Sequence, residues 1–167
     1  MSQSVIVDGY NVIYTDERLR RTACKDLERA RDGLVEKLES YLSGRKLKIT
    51  VVFDGRGGMA SAEAVIPGKL QVVYSAGSET ADEVIVETLR KATNPAAHIV
   101  VTSDMADIGR AARALGCQVI GSKRFLDRME ADGKRVRSAG AGPAVDLGDT
   151  DYWLEKFAAD GETEGET

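Results

Sequence analysis

The sequence predicts a single α/β domain in which a mostly parallel β-sheet is covered by helices on both faces. Five short apolar runs alternate with segments of helical periodicity, and each crossover is long enough to return the chain to the same edge of the sheet. A length of 167 residues with 43% hydrophobic residues can bury a sizeable core. Such a chain is expected to form a three-layer α/β/α sandwich.

The predicted strands are short and almost continuously apolar, as is typical of buried parallel strands. The first is expected at the centre of the sheet, and the third, which is the weakest, near an edge. The five strands are expected at residues 4–7, 47–53, 70–74, 98–102 and 117–120.

Helix signals separate these strands. Gly44 ends the first helix and Gly116 the third, as glycine often does after a last helical turn. Thr80 followed by Glu83 has the spacing of a capping box and marks the start of the second helix. The helices are expected over residues 27–42, 80–91 and 106–115.

Residues 1–130 are predicted to form the domain, and the character of the chain changes after them. Residues 131–167 are predicted to combine a Gly-rich basic linker, a short amphipathic helix around Trp153 and Phe157, and an acidic tail that we expect to be mobile. The two aromatic residues either dock on the domain or contact a partner. The net charge of −4 argues against nucleic-acid binding by overall charge, and the basic run before the tail is either a basic patch or a solvated face.

We expect neither a signal peptide nor a membrane span. The first ten residues have no basic flank, and no run approaches the ~20 apolar residues that cross a bilayer. Cys24 and Cys117 are far apart, lack metal-type spacing and fall in patterns typical of buried positions. A reduced, cytoplasmic protein without a membrane partner is expected.

Acidic residues stand at the predicted carboxyl ends of three strands and at the start of one helix. Asp8, Asp54 and Asp104 follow strands, and Asp82 lies in the first turn of the second helix. One such residue means little, since Asp caps helices and starts turns. Four acids at the same edge of one sheet, which we call the rim, are more informative. Crowded carboxylates repel one another and lose solvation, and this cost persists only if a cation offsets it. In open α/β sheets this rim is also where functional crevices lie.

A hard divalent cation, Mg²⁺ or Mn²⁺, is the natural counter-charge, because it takes oxygen ligands and retains several waters. Such a site can activate a water and stabilise a leaving oxygen, as metal nucleases do when they hydrolyse a phosphodiester. Asp8, Asp82 and Asp104 are the predicted metal ligands. Asn11 and Asp54 complete the predicted catalytic set, and Asn11 is expected to hold the Asp8 carboxylate or a substrate phosphate.

Other rim residues are candidates for supporting roles. Glu79 either joins the site or organises its loop, and Asp107 is placed to orient a metal-bound water. Glu83 is assigned to helix capping. The only histidine, His98, begins a predicted buried strand, which argues against paired-histidine cleavage of RNA and against His-rich zinc sites. No G-x-x-x-x-G-K-[ST] loop and no G-x-G-x-x-G motif is present.

Four motifs together resemble the YacP-like NYN family of PIN-like ribonucleases. They read VDGYNVI at residues 7–13, VVFD at 51–54, ETADE at 79–83 and TSD at 102–104. The resemblance implies a PIN-like five-stranded parallel sheet, dependence on Mg²⁺ or Mn²⁺, and endonucleolytic cleavage of RNA. By motif it makes Asp8, Asp82 and Asp104 metal-binding acids, Asn11 the amide beside the first acid, and Asp54 an acid of variable role. After residue 126 the chain departs from the family pattern, in which a short regular C-terminal helix is expected.

The predicted function is therefore a metal-dependent endoribonuclease acting in RNA processing or decay. Three Lys or Arg side chains near the rim are expected to hold the RNA backbone. RNA structure or a partner such as the ribosome is expected to supply selectivity. The alternatives are a PIN-like RNA-binding or adaptor module without catalysis, a small-molecule phosphatase, and a deoxyribonuclease using the same acids. The phosphatase lacks the D-x-D motif of one common class. The three cations are Arg56, Lys123 and Arg124.

Overall fold

The computed structural model describes residues 3–55 and 58–138, which form a six-stranded sheet between two layers of helices. The strands lie in the order β3-β4-β2-β1-β5-β6 when numbered along the chain; β3 is antiparallel to β4, and the other pairs are parallel. The predicted α/β/α fold is thereby confirmed. The strands are β1 (Gln3–Asp8), β2 (Leu47–Phe53), β3 (Ser61–Ile66), β4 (Leu70–Tyr74), β5 (His98–Val101) and β6 (Gln118–Ile120).

The helices of the described segments cover both faces of this sheet. A 3₁₀ turn at Pro95–Ala97 precedes β5, and a π-helical turn at Met105–Gly109 follows it. No helix in these segments combines the length and apolar character that a membrane span requires. The α-helices are α1 (Gly9–Thr15), α2 (Glu17–Ala23), α3 (Leu27–Leu42), α4 (Ala81–Lys91), α5 (Arg110–Ala114) and α6 (Ser122–Ser138).

All five predicted strands are present, and the sheet contains a sixth strand that was not predicted. The missed strand, β3, consists mostly of small and exposed residues, so it has neither an apolar run nor an alternating pattern to reveal it. It pairs antiparallel with β4 and takes the edge position, which places β4 second from the edge. The position of β1 between β2 and β5 agrees with the predicted central strand.

The predicted third helix is divided into two parts. The π-helical turn Met105–Gly109 begins directly after Asp104, whose carboxylate accepts the Asp107 N–H at 3.0 Å. The Gly109 N–H donates to the Asp104 carbonyl at 2.9 Å, which widens the turn before α5 begins. Such wide turns are frequent at functional sites. The second helix begins with the predicted capping box of Thr80 and Glu83.

Helix α1 was not predicted, because its residues are largely β-branched and aromatic and have low helix propensity. Packing imposes the helix instead, since Val12 and Ile13 are fully buried. The glycine of the D-G-Y-N motif is required by the same packing: a Cβ at Gly9 would lie 2.3 Å from the ring of Phe53. Helix α1 therefore starts immediately after Asp8 and turns tightly across the end of the sheet.

Helix α6 continues to Ser138 through residues 131–138, where we predicted the start of a Gly-rich linker after a domain ending at residue 130. The helix passes through Gly133 because Met129 and Asp132 are buried on its inner face. Residues 139–167, with the predicted amphipathic helix and acidic tail, lie outside the described residues, as does Arg56.

Alternation along the strands divides the core into two layers. Val5 and Val7 of β1 pack on the face covered by α1, α3 and α6, whereas Ile6 packs on the face covered by α4 and α5. Cys117 belongs to the second layer. Cys24 is exposed, contrary to our expectation, because it follows α2 at the surface.

A buried cluster of charged and polar side chains fixes α6 against the end of α3. Asp132 is 1% exposed and Arg45 is 5% exposed. The Tyr41 hydroxyl donates to Asp132 Oδ2 at 3.1 Å, and Arg45 Nη1 lies 3.7 Å from the same oxygen. Arg128 Nε lies 3.6 Å from Asp132 Oδ1, and the Arg45 guanidinium stands 4.2 Å above the Tyr41 ring. One carboxylate thus faces two guanidinium groups in a site with little solvent.

Candidate functional site

Four acidic residues meet at the carboxyl-terminal edge of the sheet, and we refer to them as the rim acids. Asp8 ends β1, Asp54 follows β2 and Asp104 follows β5, and these three strands are neighbours. Asp82 joins them from the first turn of α4, because the Ala81 N–H donates to Asp54 Oδ1 at 2.6 Å and fixes the start of that helix beside β2.

Asp8 is the most enclosed of the rim acids, with only 8% of its surface exposed. It accepts hydrogen bonds from the Asn11 backbone N–H and from Thr102 Oγ1, the latter at 3.4 Å. Burial and then the negative charge of Asp82 raise the pKa of Asp8 to about 6, although the two hydrogen bonds act in the opposite direction. The residue is ionised at pH 7, but its ionisation is electrostatically unfavourable.

The pKa of Asp82 is also raised, first by burial and then by the charges of Asp104, Asp54 and Asp107. In the part of the chain that the structure describes, none of the rim acids forms an ion pair with a lysine or arginine. Within residues 3–55 and 58–138, the negative charges at the rim are therefore not neutralised by basic side chains. A divalent cation would compensate such a concentration of carboxylates.

Two of the rim acids also have structural roles. Asp54 Oδ1 anchors α4, as described above, and Asp104 Oδ1 accepts the Asp107 N–H at 3.0 Å and caps the π-helical turn. Within residues 3–55 and 58–138, the second carboxylate oxygen of each makes no hydrogen bond to the protein. Each residue can therefore hold its backbone partner and still offer one oxygen to a ligand.

Asn11 connects the rim to two other elements. Its side-chain Oδ1 accepts the Ser103 N–H at 2.9 Å and the Ser122 hydroxyl at 2.6 Å, and Ser122 is fully buried. Two donors on Oδ1 fix the orientation of the amide and leave Nδ2 to donate elsewhere. We expected the Asn11 side chain to hold either the Asp8 carboxylate or a substrate phosphate. The first alternative is wrong, since the Asn11 backbone N–H, not its side chain, donates to Asp8. Sequence reasoning missed Ser122, because no local motif surrounds it.

The two supporting acids are placed differently. Glu79, Asp82 and Asp107 line one open cleft of about 640 Å³ beside α4. Asp107 is close enough to contribute to the raised pKa of Asp82, whereas Glu79 is exposed and is not among the causes of that shift. Asp107 therefore lies nearer the rim acids electrostatically than Glu79 does.

The predicted RNA-contacting cations lie at the start of α6 or outside the described residues. Lys123 is exposed and pairs with Asp127 at 3.1 Å, and Arg124 is half-buried. Their neighbour Ser122 contacts Asn11, so this end of α6 borders the rim. Several basic residues of the run have an acidic partner one turn away on the same helix, as in Lys134 with Glu130, which weakens the case for a strongly basic patch.

The rim fits a hydrated Mg²⁺ or Mn²⁺ better than a metal enclosed by protein. Among residues 3–55 and 58–138, no three His, Cys, Asp or Glu side chains are arranged closely enough to form a ready-made metal cage. Mg²⁺ does not need one, because it is commonly held by one or two carboxylates together with waters and substrate phosphates. His98 begins β5 at the opposite edge of the sheet and donates no ligand to the rim.

Comparison with known proteins places this chain in a family. Residues 5–146 match the model of the YacP-like NYN domain. The chain therefore belongs to the YacP-like NYN domain family, a family of PIN-like nucleases, as its motifs predicted.

Individual relatives come from Bacillus subtilis. The uncharacterised protein YacP of strain 168 is 33% identical over 101 residues, which are 60% of this chain and 59% of YacP; the aligned region thus spans less than two-thirds of that relative. The crystal structure of a tryptophan-to-leucine mutant of Rae1 (YacP) matches with a TM-score of 0.65 and 26% identity, covering 94% of this chain and 92% of Rae1. A second crystal structure of Rae1 matches with a TM-score of 0.61 and 26% identity, covering 92% and 91%.

Proposed function

We propose that the protein is an endoribonuclease that uses Mg²⁺ or Mn²⁺ to hydrolyse RNA phosphodiester bonds. The observation that carries the proposal is the group of four rim acids, which form no ion pair with a basic side chain of the described segments; among them Asp8 is buried and its pKa is raised to about 6. Such an arrangement is unfavourable for folding and is typical of catalytic sites. Membership of a PIN-like nuclease family supports phosphodiester hydrolysis over other uses of a divalent ion.

In this proposal Asp8, Asp82 and Asp104 hold the divalent ion through their carboxylate oxygens. When bound, the ion would supply an activated water and a counter-charge for the phosphate oxygens. Asp54 keeps α4 in position through the Ala81 N–H, so that Asp82 remains at the rim. Asn11, with Oδ1 occupied by two donors, presents Nδ2 as a donor to a phosphate oxygen.

The proposal also covers the choice of RNA as the substrate and the cellular location of the activity. Contacts to the backbone from Lys123 and Arg124 would carry little sequence information, so RNA structure or a partner such as the ribosome would select the cleavage site. We place this activity in the cytoplasm. Incubation with matched RNA and DNA single strands tests the choice of nucleic acid, and equal cleavage of both would replace the endoribonuclease by a general nuclease.

A second candidate is a PIN-like RNA-binding or adaptor module without catalysis. Such a module needs no metal ligands, and it is compatible with the lack, within the described residues, of three metal-binding side chains in ready-made geometry. Calorimetric titration with Mn²⁺ separates the two functions, because an adaptor needs no metal at the rim. Binding of RNA that persists in EDTA, together with no heat of Mn²⁺ binding, would favour the adaptor.

Asp82→Asn tests the proposed chemistry directly. We expect cleavage to fall by roughly 100-fold or more in saturating Mg²⁺, because one oxygen ligand and one negative charge are lost from the rim. EDTA should abolish cleavage by the wild type, and excess Mn²⁺ should restore it. Glu36→Gln is the matched control, since it makes the same change in charge at an exposed position on α3. Equal rates for Asp82→Asn and wild type would contradict the assignment.

Ser122→Ala tests whether the orientation of Asn11 matters. We expect the cleavage rate constant to fall by roughly 10-fold, because Asn11 loses one of the two donors that orient its amide, as when a partner that orients a metal ligand is removed. Mn²⁺ affinity measured by calorimetry should be unchanged, because no proposed ligand is altered. Ser103→Ala is the control, since Ser103 contacts Asn11 through its backbone N–H, which the substitution retains. Equal losses in the two variants would rule out this role of the Ser122 hydroxyl.

A further inference from the structure

A group of aromatic side chains borders the rim acids on the side facing α3. Tyr10 follows β1, Phe53 ends β2 and Tyr74 ends β4, so the three occupy the ends of adjacent strands. The ring centroids of Tyr10 and Phe53 are 5.0 Å apart, and those of Phe53 and Tyr74 are 5.8 Å apart in a stacked arrangement. Tyr14, one turn along α1, continues the row with its ring 6.5 Å from that of Tyr10.

A cation is built into the same group. Arg31 Nη1 donates to the Tyr10 hydroxyl at 2.8 Å, and the Arg31 guanidinium lies 5.8 Å from the centre of the Tyr74 ring. Two tyrosines therefore orient one half-buried arginine, which forms no ion pair within the described residues. A guanidinium has five N–H donors, so Arg31 retains donors for an anion after bonding to Tyr10.

The exposure of these side chains indicates more than core packing. Phe53 is fully buried and serves the core, whereas Tyr14 is 54% exposed and Tyr10 and Tyr74 are half-buried. Among residues 3–55 and 58–138, Tyr14, Met59 and Met105 are the large hydrophobic side chains that are exposed. Each lies in a segment that leaves the rim, after β1, β2 or β5. Of these three, Tyr14 extends the row of rings, and an exposed apolar side chain that continues such a row is available to a ligand.

The aromatic group and the rim acids lie on opposite sides of the same strand ends. Asp54 bonds to the start of α4, whereas Tyr10 bonds to Arg31 of α3. Asp8 and Tyr10 are two residues apart, so a chain with one phosphate at the acids can place a neighbouring nucleotide over the tyrosines. Aromatic rings beside a cation are the usual platform for unpaired bases, because a ring stacks on the base and the cation contacts the backbone.

We propose that Tyr10, Tyr14, Tyr74 and Arg31 form a subsite for an unpaired nucleotide of single-stranded RNA next to the phosphate that is cleaved. The base stacks on Tyr14, and Arg31 contacts the adjoining phosphate. This inference rests on the proposed function for its choice of RNA and adds a substrate class. Bases inside an A-form duplex are stacked on one another and cannot use such a platform, so single-stranded segments are preferred.

The test measures RNA binding in EDTA, by fluorescence anisotropy, so that no cleavage occurs. Tyr14→Ala should weaken binding of a short single-stranded RNA by roughly 10-fold. Tyr14→Phe, which retains the ring, should stay within about 2-fold of the wild type, and binding of a blunt RNA duplex should not change in either variant. An RNA with one abasic nucleotide, scanned along the strand, should at one position bind wild type and Tyr14→Ala equally.

Arg31→Gln supplies a second readout that a purely structural role would not change. The substitution removes the charge of the guanidinium, so the slope of log affinity against log salt for single-stranded RNA should fall in magnitude by about 0.7. An unchanged slope together with unchanged Tyr14→Ala affinity would overturn the subsite, as would equal losses on duplex and single-stranded RNA. Absence of RNA binding by the wild type would overturn it too. If the binding effects occur but no metal supports cleavage, the subsite stands and only the proposed catalysis fails.

Discussion

Asp8→Asn is expected to abolish cleavage and, at the same time, to stabilise the metal-free protein at pH 7. Activity should fall by roughly 10³-fold or more, because a metal ion contributes several kcal/mol of charge stabilisation and Asp8 is its proposed central ligand. Stability should rise by about 1–3 kcal/mol, because the substitution removes a charge that burial and Asp82 make unfavourable. An amide can still accept from the Asn11 N–H and pair with Thr102.

The pH dependence of the free energy of unfolding follows from the raised pKa of Asp8. The Asp8 carboxyl is mostly neutral in the folded and unfolded protein below its ordinary pKa of 3.8 and mostly ionised in both above its folded pKa of about 6. Only the folded state penalises the charge, so the free energy of unfolding of the wild type should fall by about 1–3 kcal/mol between these limits relative to Asp8→Asn. Urea unfolding of both proteins in EDTA at pH 4 and pH 7 measures the difference. A difference that does not change with pH would contradict the assignment, and cleavage by the folded variant at the wild-type rate would refute the role of Asp8.

The sequence predicted those parts of the fold whose signals are local. The strands over residues 47–53 and 98–101 are rich in apolar and β-branched residues, and the capping box of Thr80 and Glu83 lies where its spacing placed it. β3 was missed because a mostly exposed edge strand needs no apolar pattern. Helix α1 was missed because tertiary packing of Val12 and Ile13 overrides the low helix propensity of its sequence.

The candidate site was predictable where one rule governs several residues. Asp8, Asp54 and Asp104 follow parallel strands, and the carboxyl ends of such strands share an edge. Ser122 lies 111 residues from Asn11 in the chain, and nothing in its local sequence indicates the contact between them. The cluster around Arg31 was missed for the same reason, since Arg31 lies on α3 and its partners Tyr10 and Tyr74 come from α1 and β4. Side-chain contacts between distant segments depend on the register of the fold, which a local pattern does not contain.

Asp132→Asn is expected to destabilise the protein strongly, although Asp132 lies away from the rim. The Asp132 carboxylate is 1% exposed and faces Arg45, whose side chain is 6% exposed. Asparagine keeps the shape but leaves the Arg45 guanidinium buried beside an uncharged amide. Removing one partner of a buried ion pair costs about 3–5 kcal/mol, so the urea midpoint should fall steeply. The matched control is Asp127→Asn on the same helix, which breaks an exposed pair with Lys123 and should cost at most about 0.5 kcal/mol.

The same variant tests whether α6 transmits its anchoring to the rim. Asp132 fixes the middle of α6, and Ser122 at its first turn orients Asn11. If the anchor positions the whole helix, cleavage by Asp132→Asn should fall by several-fold under conditions in which the variant remains folded, whereas Asp127→Asn should cleave at the wild-type rate. Loss of stability without loss of activity would mean that the contact of Ser122 with Asn11 is maintained by the first turn alone. The two substitutions remove the same charge from one helix and differ mainly in burial. Equal urea midpoints for Asp132→Asn and Asp127→Asn would therefore show that the buried carboxylate does not compensate the charge of Arg45.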